Sequence, residues 1–273
     1  MRKQPEHDFS RVSAITVDAD FAGQRLDNYL LALLKGVPRS RVYRIIRKGE
    51  IRINRKRAAA QYKLQAGDVI RVPPIRVADT TGDALSVSGG LQQSLLQAVR
   101  YEDDAVLVID KPSGLAVHGG SGLDLGLIEA LRVARNDPGL ELMHRLDRET
   151  SGCLLIAKKR GALRQLHIDL RAGQIDKIYT ALAIGRWPAR FEDVRAPLLK
   201  NQLSSGERMV VVSKEGKSCH TRFRVCERFS GATVLEAIPV TGRTHQIRVH
   251  ARFAGCPLAG DSKYGDDDSN KAF

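Results

Sequence analysis

The chain has 273 residues, enough for one large or two medium domains, and its 44 Lys+Arg against 31 Asp+Glu leave a net charge of +13. That excess points to a polyanionic partner, nucleic acid before an acidic membrane surface. No apolar run approaches the length of a membrane span, and the opening MRKQPEHDFS has no apolar core of a secretory signal; a cytoplasmic protein is expected, neither secreted nor membrane-embedded.

Residues 1–14 are polar and read as a disordered tail. A compact module follows over 15–75. Leu26, Leu30 and Leu33 recur at i, i+4 and i+7, one face of a helix, with Asp27 and Asn28 on its polar side and Gly36 and Pro38 ending it. Ser40 is placed to cap a second helix, with Val42, Ile45 and Ile46 as its apolar face and Gly49 at its end. Residues 51–54 alternate as a strand, and 64–72 read as a turn and a strand. Nine basic residues crowd this stretch: Arg39, Arg41, Arg44, Arg47, Lys48, Arg52, Arg55, Lys56 and Arg57, with Glu50 the sole acid among them. A solvated helix face would carry such charge, but this density of one sign repels itself unless an anion answers it. Residues 76–97 are rich in Gly, Ser and Thr and read as a linker.

From 98 onward the elements are mixed. Residues 105–109 make a buried-type strand, stopped by Lys111-Pro112-Ser113-Gly114; Leu127, Ile128, Leu131 and Ala134 mark a short helix, and Leu163, Leu166 and Leu170 another. Strands are expected over 153–157, over 178–184 with Tyr179 in the middle, and at 223–225 and 233–238 as an antiparallel pair. Thr244 is placed to cap a helix carrying Ile247, Ala251 and Ala254. Strands outnumber helices and do not alternate with them, so the fold class is α+β, with a mainly antiparallel sheet and flanking helices. His118-Gly119-Gly120-Ser121-Gly122 matches neither a P-loop nor a nucleophile elbow and reads as a flexible loop that lets backbone approach RNA. No G-x-G-x-x-G follows a strand, which disfavours a Rossmann methyltransferase. Cys153, Cys219, Cys226 and Cys256 contain no C-x-x-C pair and read as reduced, mostly buried thiols; with His220 and His250 they match no standard zinc spacing, so no metal is expected.

The most informative string is His144-Arg145-Leu146-Asp147-Arg148-Glu149-Thr150-Ser151-Gly152. It sets one carboxylate between two arginines before a Thr-Ser-Gly turn. An Asp held ionised by cations suits a nucleophile, although an Asp flanked by arginines is more often a surface ion pair. The ordered string resembles the signature of the RluA-type pseudouridine synthases. Lys177-Ile178-Tyr179-Thr180-Ala181-Leu182, Gly242-Arg243-Thr244-His245-Gln246-Ile247-Arg248-Val249-His250, Pro197-Leu198-Leu199-Lys200 and the 257–265 segment PLAGDSKYG are similar to further segments of that family. Upstream, RLDNYL, SRVYRIIRKGEIRIN and KLQAGDVI, in that order, resemble the S4 RNA-binding domain.

The resemblance implies a domain plan of S4 module at 15–75, linker at 76–97 and catalytic domain at 98–273. It implies isomerisation of uridines in large-subunit (23S) ribosomal RNA. Asp147 would be the nucleophile, attacking C6 of the uracil or C1′ of the ribose; Tyr179 would lie over the flipped base, and Arg248 would pair with Asp147. Arg145 would fill the gap left by the flipped base, and His144 and the nine basic residues above would contact RNA; His245 and His250 are structural or RNA-contacting. Isomerisation needs no redox change or group donor, so no cofactor is expected. The partner is RNA, and the protein is expected to be monomeric. Family members continue beyond the equivalent of Tyr264-Gly265 with a further strand, so the catalytic domain is expected to be short at its C-terminus. Three rivals come from other classes. A non-catalytic ribosome-assembly protein would keep the S4 module without the chemistry. A glycosidic hydrolase would need a second carboxylate roughly 5–9 Å away, for which Glu149 is the only nearby candidate. A membrane-surface protein would need an amphipathic anchor that is not visible.

Overall fold

The computed structural model describes residues 9–34, 36–75, 87–119, 125–202, 208–265 and 267–271. The chain divides into two compact units, Met1–Gln165 and Leu166–Phe273. It is an α+β protein, and every strand pairing among the described residues is antiparallel. No helix among them is long and apolar enough to cross a membrane.

The first unit opens with a sheet in the order β1-β4-β2-β3 under two helices. Its strands are β1 (Ser13–Thr16), β2 (Arg52–Ile53), β3 (Lys56–Arg57) and β4 (Val69–Val72), and its helices α1 (Leu26–Leu33) and α2 (Arg39–Lys48). The helical spacing read from the sequence is what closes this module. Leu26, Leu30, Val42, Ile45 and Ile46 bury against Ile15, Ile53, Leu64, Ile70 and Val72. Asp27 is not on a polar face. It is 1 % exposed, and Arg25 and the Tyr43 hydroxyl donate to its carboxylate, which ties α1 to α2. The Arg25 hydrogen bond leads the effects that hold the Asp27 carboxyl below its ordinary range.

Of the segment expected to be a linker, 76–86 lies outside the described residues, and the rest contains α3 (Gly89–Gln97). Ser88 caps it by accepting from the Leu91 N–H at 3.3 Å, and Leu95 is fully buried where α3 packs on α4 (Leu127–Ala134). The second sheet of the unit runs β5-β6-β8-β7, with β5 (Val99–Glu102), β6 (Val106–Lys111), β7 (Glu141–Leu142) and β8 (Gly152–Ala157). Leu107, Ile109, Leu154 and Ile156 supply its fully buried face. Gly126 at the start of α4 leaves no room for a side chain, because a Cβ there would come within 2.3 Å of the His118 backbone. The division between units falls inside α5 (Arg160–Arg171).

The second unit carries β9 (Tyr179–Ile184), β10 (Asp193–Val194), a β11 (Leu198–Gln202) and β12 (Arg208–Val212) hairpin, and β13 (Thr221–Arg228) and β14 (Ala232–Pro239). The last two pair antiparallel as expected, in a sheet of order β10-β13-β14-β9. Helix α6 (Gln246–Phe253) adds Ala251 to a core of Ala183, Trp187, Phe223, Leu235 and Ala237. A short α7 (Asp267–Lys271) follows. The residue capping α6 is His245, at φ 53°, rather than Thr244. All four cysteines are free; Cys219 and Cys256 are buried, whereas Cys153 and Cys226 are exposed.

Candidate active site

Asp147 lies in the first unit, in the connection from β7 to β8. Two anchors fix the two ends of this connection. Before it, the Met143 N–H donates to Leu155 O and the Leu155 N–H donates to His144 Nε2 at 3.2 Å, so this histidine locks the entry to its neighbouring strand. After it, Gly152 takes φ 106°, a region that disfavours any side chain, and turns the chain into β8. Between them Leu146 points into the core at 7 % exposed, Asp147 is half-buried, and Arg145 is exposed. The Thr150 N–H donates to Asp147 O at 3.1 Å and closes the turn.

Lys111, which in the sequence reads only as part of a strand stop, holds this turn. It ends β6, is 0 % exposed, and its Nζ donates to Pro112 O at 2.8 Å, Leu115 O at 2.8 Å and Arg148 O at 2.9 Å. Those three bonds use all the donors an ammonium has. Burial pushes its pKa down, opposed by the charges of Glu149 and Asp147. The same two loops are laced further. Gly114 N–H donates to Arg148 O, Arg148 Nε donates to Gly114 O at 2.9 Å, and the Ser113 hydroxyl donates to Glu149 O at 2.7 Å. The turn that carries Asp147 therefore has its backbone held on both sides of the carboxylate. The His118 loop lies largely in 120–124, outside the described residues; in the described part, Glu129 accepts from both Gly119 N and Gly126 N.

Tyr179 and Arg248 lie in the second unit. Tyr179 is the first residue of β9 rather than its middle, paired with Ala237 and packed on the core. Arg248 sits on α6, with Nε and Nη2 each 2.7 Å from the two oxygens of Asp261. Asp261 also accepts the Lys263 and Tyr264 N–H groups, both at 3.0 Å. Burial alone would raise its carboxyl pKa, but Arg248 and these amides outweigh burial and hold it below the ordinary value. The rest of the Gly242–His250 string builds the frame. Gln246 donates to His220 O and Thr221 Oγ1 and accepts from the Arg243 N–H and the Thr241 hydroxyl. His250 bridges Thr221 Oγ1 and Ala196 O, each at 2.9 Å, and His245 Nδ1 meets the Tyr264 hydroxyl at 2.7 Å. His250, buried with both ring nitrogens engaged, is structural.

The nine basic residues of the first module are all exposed. Arg39, Arg41, Arg44, Arg47 and Lys48 belong to α2, and Arg52, Arg55, Lys56 and Arg57 to the β2–β3 hairpin, where Arg52 stands directly opposite Arg57. None forms an ion pair with a carboxylate among the described residues. Like charges opposed across a hairpin cost stability, so the arrangement suits a surface that meets a polyanion.

Residues 105–253 match the RNA pseudouridylate synthase family, and residues 24–70 match the S4 domain. The chain is 55 % identical over 263 residues to a protein of Haemophilus influenzae named ribosomal large subunit pseudouridine synthase C, covering 96 % of this chain and 82 % of that one. It is 56 % identical over 256 residues to the Escherichia coli protein of the same name, covering 93 % and 80 %. Among solved structures it is similar to human RNA pseudouridylate synthase domain containing 4, with a TM-score of 0.54 and 29 % identity over 65 % of this chain and 72 % of that one.

Proposed function

The chain belongs to the RNA pseudouridylate synthase family, and from that premise we propose that it isomerises uridines of large-subunit (23S) ribosomal RNA to pseudouridine, with Asp147 as its nucleophile. The observation that carries the reading is 55 % identity across 96 % of the chain to a large-subunit pseudouridine synthase. The built turn supports it: the carboxylate sits on a backbone whose carbonyls are engaged by Lys111, Gly114 and Ser113.

The reaction breaks the bond from C1′ to N1 and makes one from C1′ to C5. N1 gains a proton and C5 loses one, so the product is an isomer. The uridine must first leave its stack, at a cost of a few kcal/mol. The exposed basic face of α2 and the β2–β3 hairpin offsets that cost by binding phosphates. Arg145, exposed two residues before Asp147, takes the place of the extruded base. Asp147 attacks the nucleotide. Tyr179 lies against the uracil while it turns, a stacking contact of about 1–3 kcal/mol. Arg248 is the active-site cation, set in place by Asp261. The enzyme works as a cytoplasmic monomer.

Tritium release from unmodified 23S RNA carrying [5-³H]uridine tests the reading directly, since forming the new bond expels the hydrogen at C5. The parent should release tritium. Asp147→Asn should release none while binding RNA as the parent does. Equal loss of binding and turnover would make Asp147 structural. A folded parent that binds RNA without release would favour the assembly-factor reading.

A further inference from the structure

Arg160 opens α5, where a cation opposes the helix dipole and no acidic residue stands in the first turn to offset it. Its side chain serves other elements. Nη1 donates to Gln24 Oε1 at 2.7 Å, the guanidinium carbon lies 4.2 Å from the centre of the Phe21 ring, and Nε is 3.4 Å from Glu141 Oε1. The first two partners belong to the S4 module and are themselves fastened to its core. Phe21 packs edge-on against buried Tyr29 at 5.1 Å, and Gln24 O accepts from the N–H of buried Leu64. The third partner, Glu141, opens β7 and pairs with Ala157, the last residue of β8. β7 leads into the Asp147 turn and β8 leads out of it. Arg160 therefore holds the S4 module at one end of the hairpin whose other end carries Asp147, the length of a six-residue strand away, about 17 Å.

The side chains of Arg160 and Glu141 are 27 % and 35 % exposed, so the ion pair by itself is weak. What distinguishes Arg160 is convergence. One planar guanidinium meets an amide, an aromatic ring and a carboxylate at once, a set that an ammonium does not reproduce. We propose that Arg160 is a positioning residue that locks the S4 module onto the base of the Asp147 hairpin, so that RNA meets the basic face and the catalytic turn as one preformed surface. RNA would have to capture a module free to reorient in its competent pose, and apparent affinity would fall in proportion to the competent fraction. This inference rests on the pseudouridine synthase reading and adds what couples the RNA-binding module to the site.

The test compares Arg160→Met and Arg160→Lys with the parent by small-angle X-ray scattering without RNA, by filter binding of unmodified 23S transcript across a salt series, and by tritium release. In Arg160→Met the radius of gyration should rise. Kd and KM should rise about tenfold, as for a docked fraction reduced to about one tenth. At saturation RNA restores the pose, so kcat should stay within about twofold. The slope of log K against log salt should not change, because Arg160 touches the module and not phosphate. Arg160→Lys keeps a cation for Phe21 and Glu141 and should recover part of the affinity. Gln24→Ala should weaken binding in the parent and add little in Arg160→Met, since both remove the same clamp. Unchanged scattering and affinity in Arg160→Met would overturn the inference. A slope shallower by one phosphate contact would overturn it too, because Arg160 would then bind RNA itself. So would a fall in kcat together with a lowered thermal midpoint, the mark of a residue that only supports the fold. A parent that releases no tritium sinks the synthase reading instead, and scattering with the salt series still decides on Arg160.

Discussion

Asp261 engages Arg248 through both carboxylate oxygens, and its side chain is 5 % exposed against 20 % for that of Arg248. A pair this shielded differs from the exposed Arg148–Glu149 pair, whose side chains are 63 % and 68 % exposed and whose worth is small. Asp261 is also the hub of its turn, through the Lys263 and Tyr264 amides, and the Arg248 guanidinium lies 5.0 Å from the centre of the Tyr264 ring. Asp261→Asn keeps the shape and removes the charge, leaving Arg248 half-desolvated without its counter-ion. The expected cost at pH 7 is about 2–3 kcal/mol, read by urea unfolding. The pH dependence follows from the lowered carboxyl pKa of the folded state. The contribution of the charge is complete above the unfolded-state value of about 3.9 and is lost as pH falls through the lower folded value. The gap between parent and variant should therefore hold from neutrality to about pH 5 and shrink below about pH 4. A gap independent of pH would mean that shape, not charge, makes the contribution.

The two loops that meet at Lys111 are tied to each other by side-chain and backbone hydrogen bonds. Residues 112–115 and 147–149 have little regular structure and derive their shape from the hydrogen bonds between them. Lys111→Met would leave three carbonyls without their donor and should cost about 3 kcal/mol or more, with turnover falling as the Asp147 turn loosens. Ser113→Ala loses one bond, to Glu149 O, and should cost about 1 kcal/mol. Unfolding and tritium release on both variants check the order; a neutral Lys111→Met would show that the loops hold without it. This arrangement was half legible in the sequence. The strings around Asp147 and Arg248 supplied the candidate site residues, and the periodic runs located α1, α2, β6, β9 and β14, because an apolar period writes its element directly. Lys111 was not legible, since a lysine before Pro112 reads as the end of a strand and its acceptors lie as far as 37 residues away. Helix α3 was hidden by the Gly89-Gly90 composition of its first turn, and what stabilises it is the burial of Leu95, a tertiary fact. Asp27 falls in the same class, a charge that looks solvent-facing until Arg25 and Tyr43 close on it.

For the whole molecule, a net charge of +13 is a statement about binding more than about fold. The nine exposed cations of α2 and the β2–β3 hairpin carry a large share of the basic residues in a module whose own core is complete without them. Charge can therefore be removed there without emptying the core, which separates affinity from stability. In the triple variant Arg39→Ala, Arg41→Ala and Arg44→Ala, the salt slope of 23S RNA binding should fall by about three phosphate contacts, and affinity at moderate salt should weaken in step. At saturating RNA the rate of tritium release should stay close to that of the parent, since the role proposed for the substituted side chains is phosphate contact and not chemistry. Stability should hold or rise slightly in Arg57→Ala, which relieves the opposition with Arg52 across the hairpin. A salt slope unchanged by the triple variant would place the RNA on another face and leave this charge without its partner. A fall in the saturated rate would mean that the module positions the substrate uridine as well as holding the RNA.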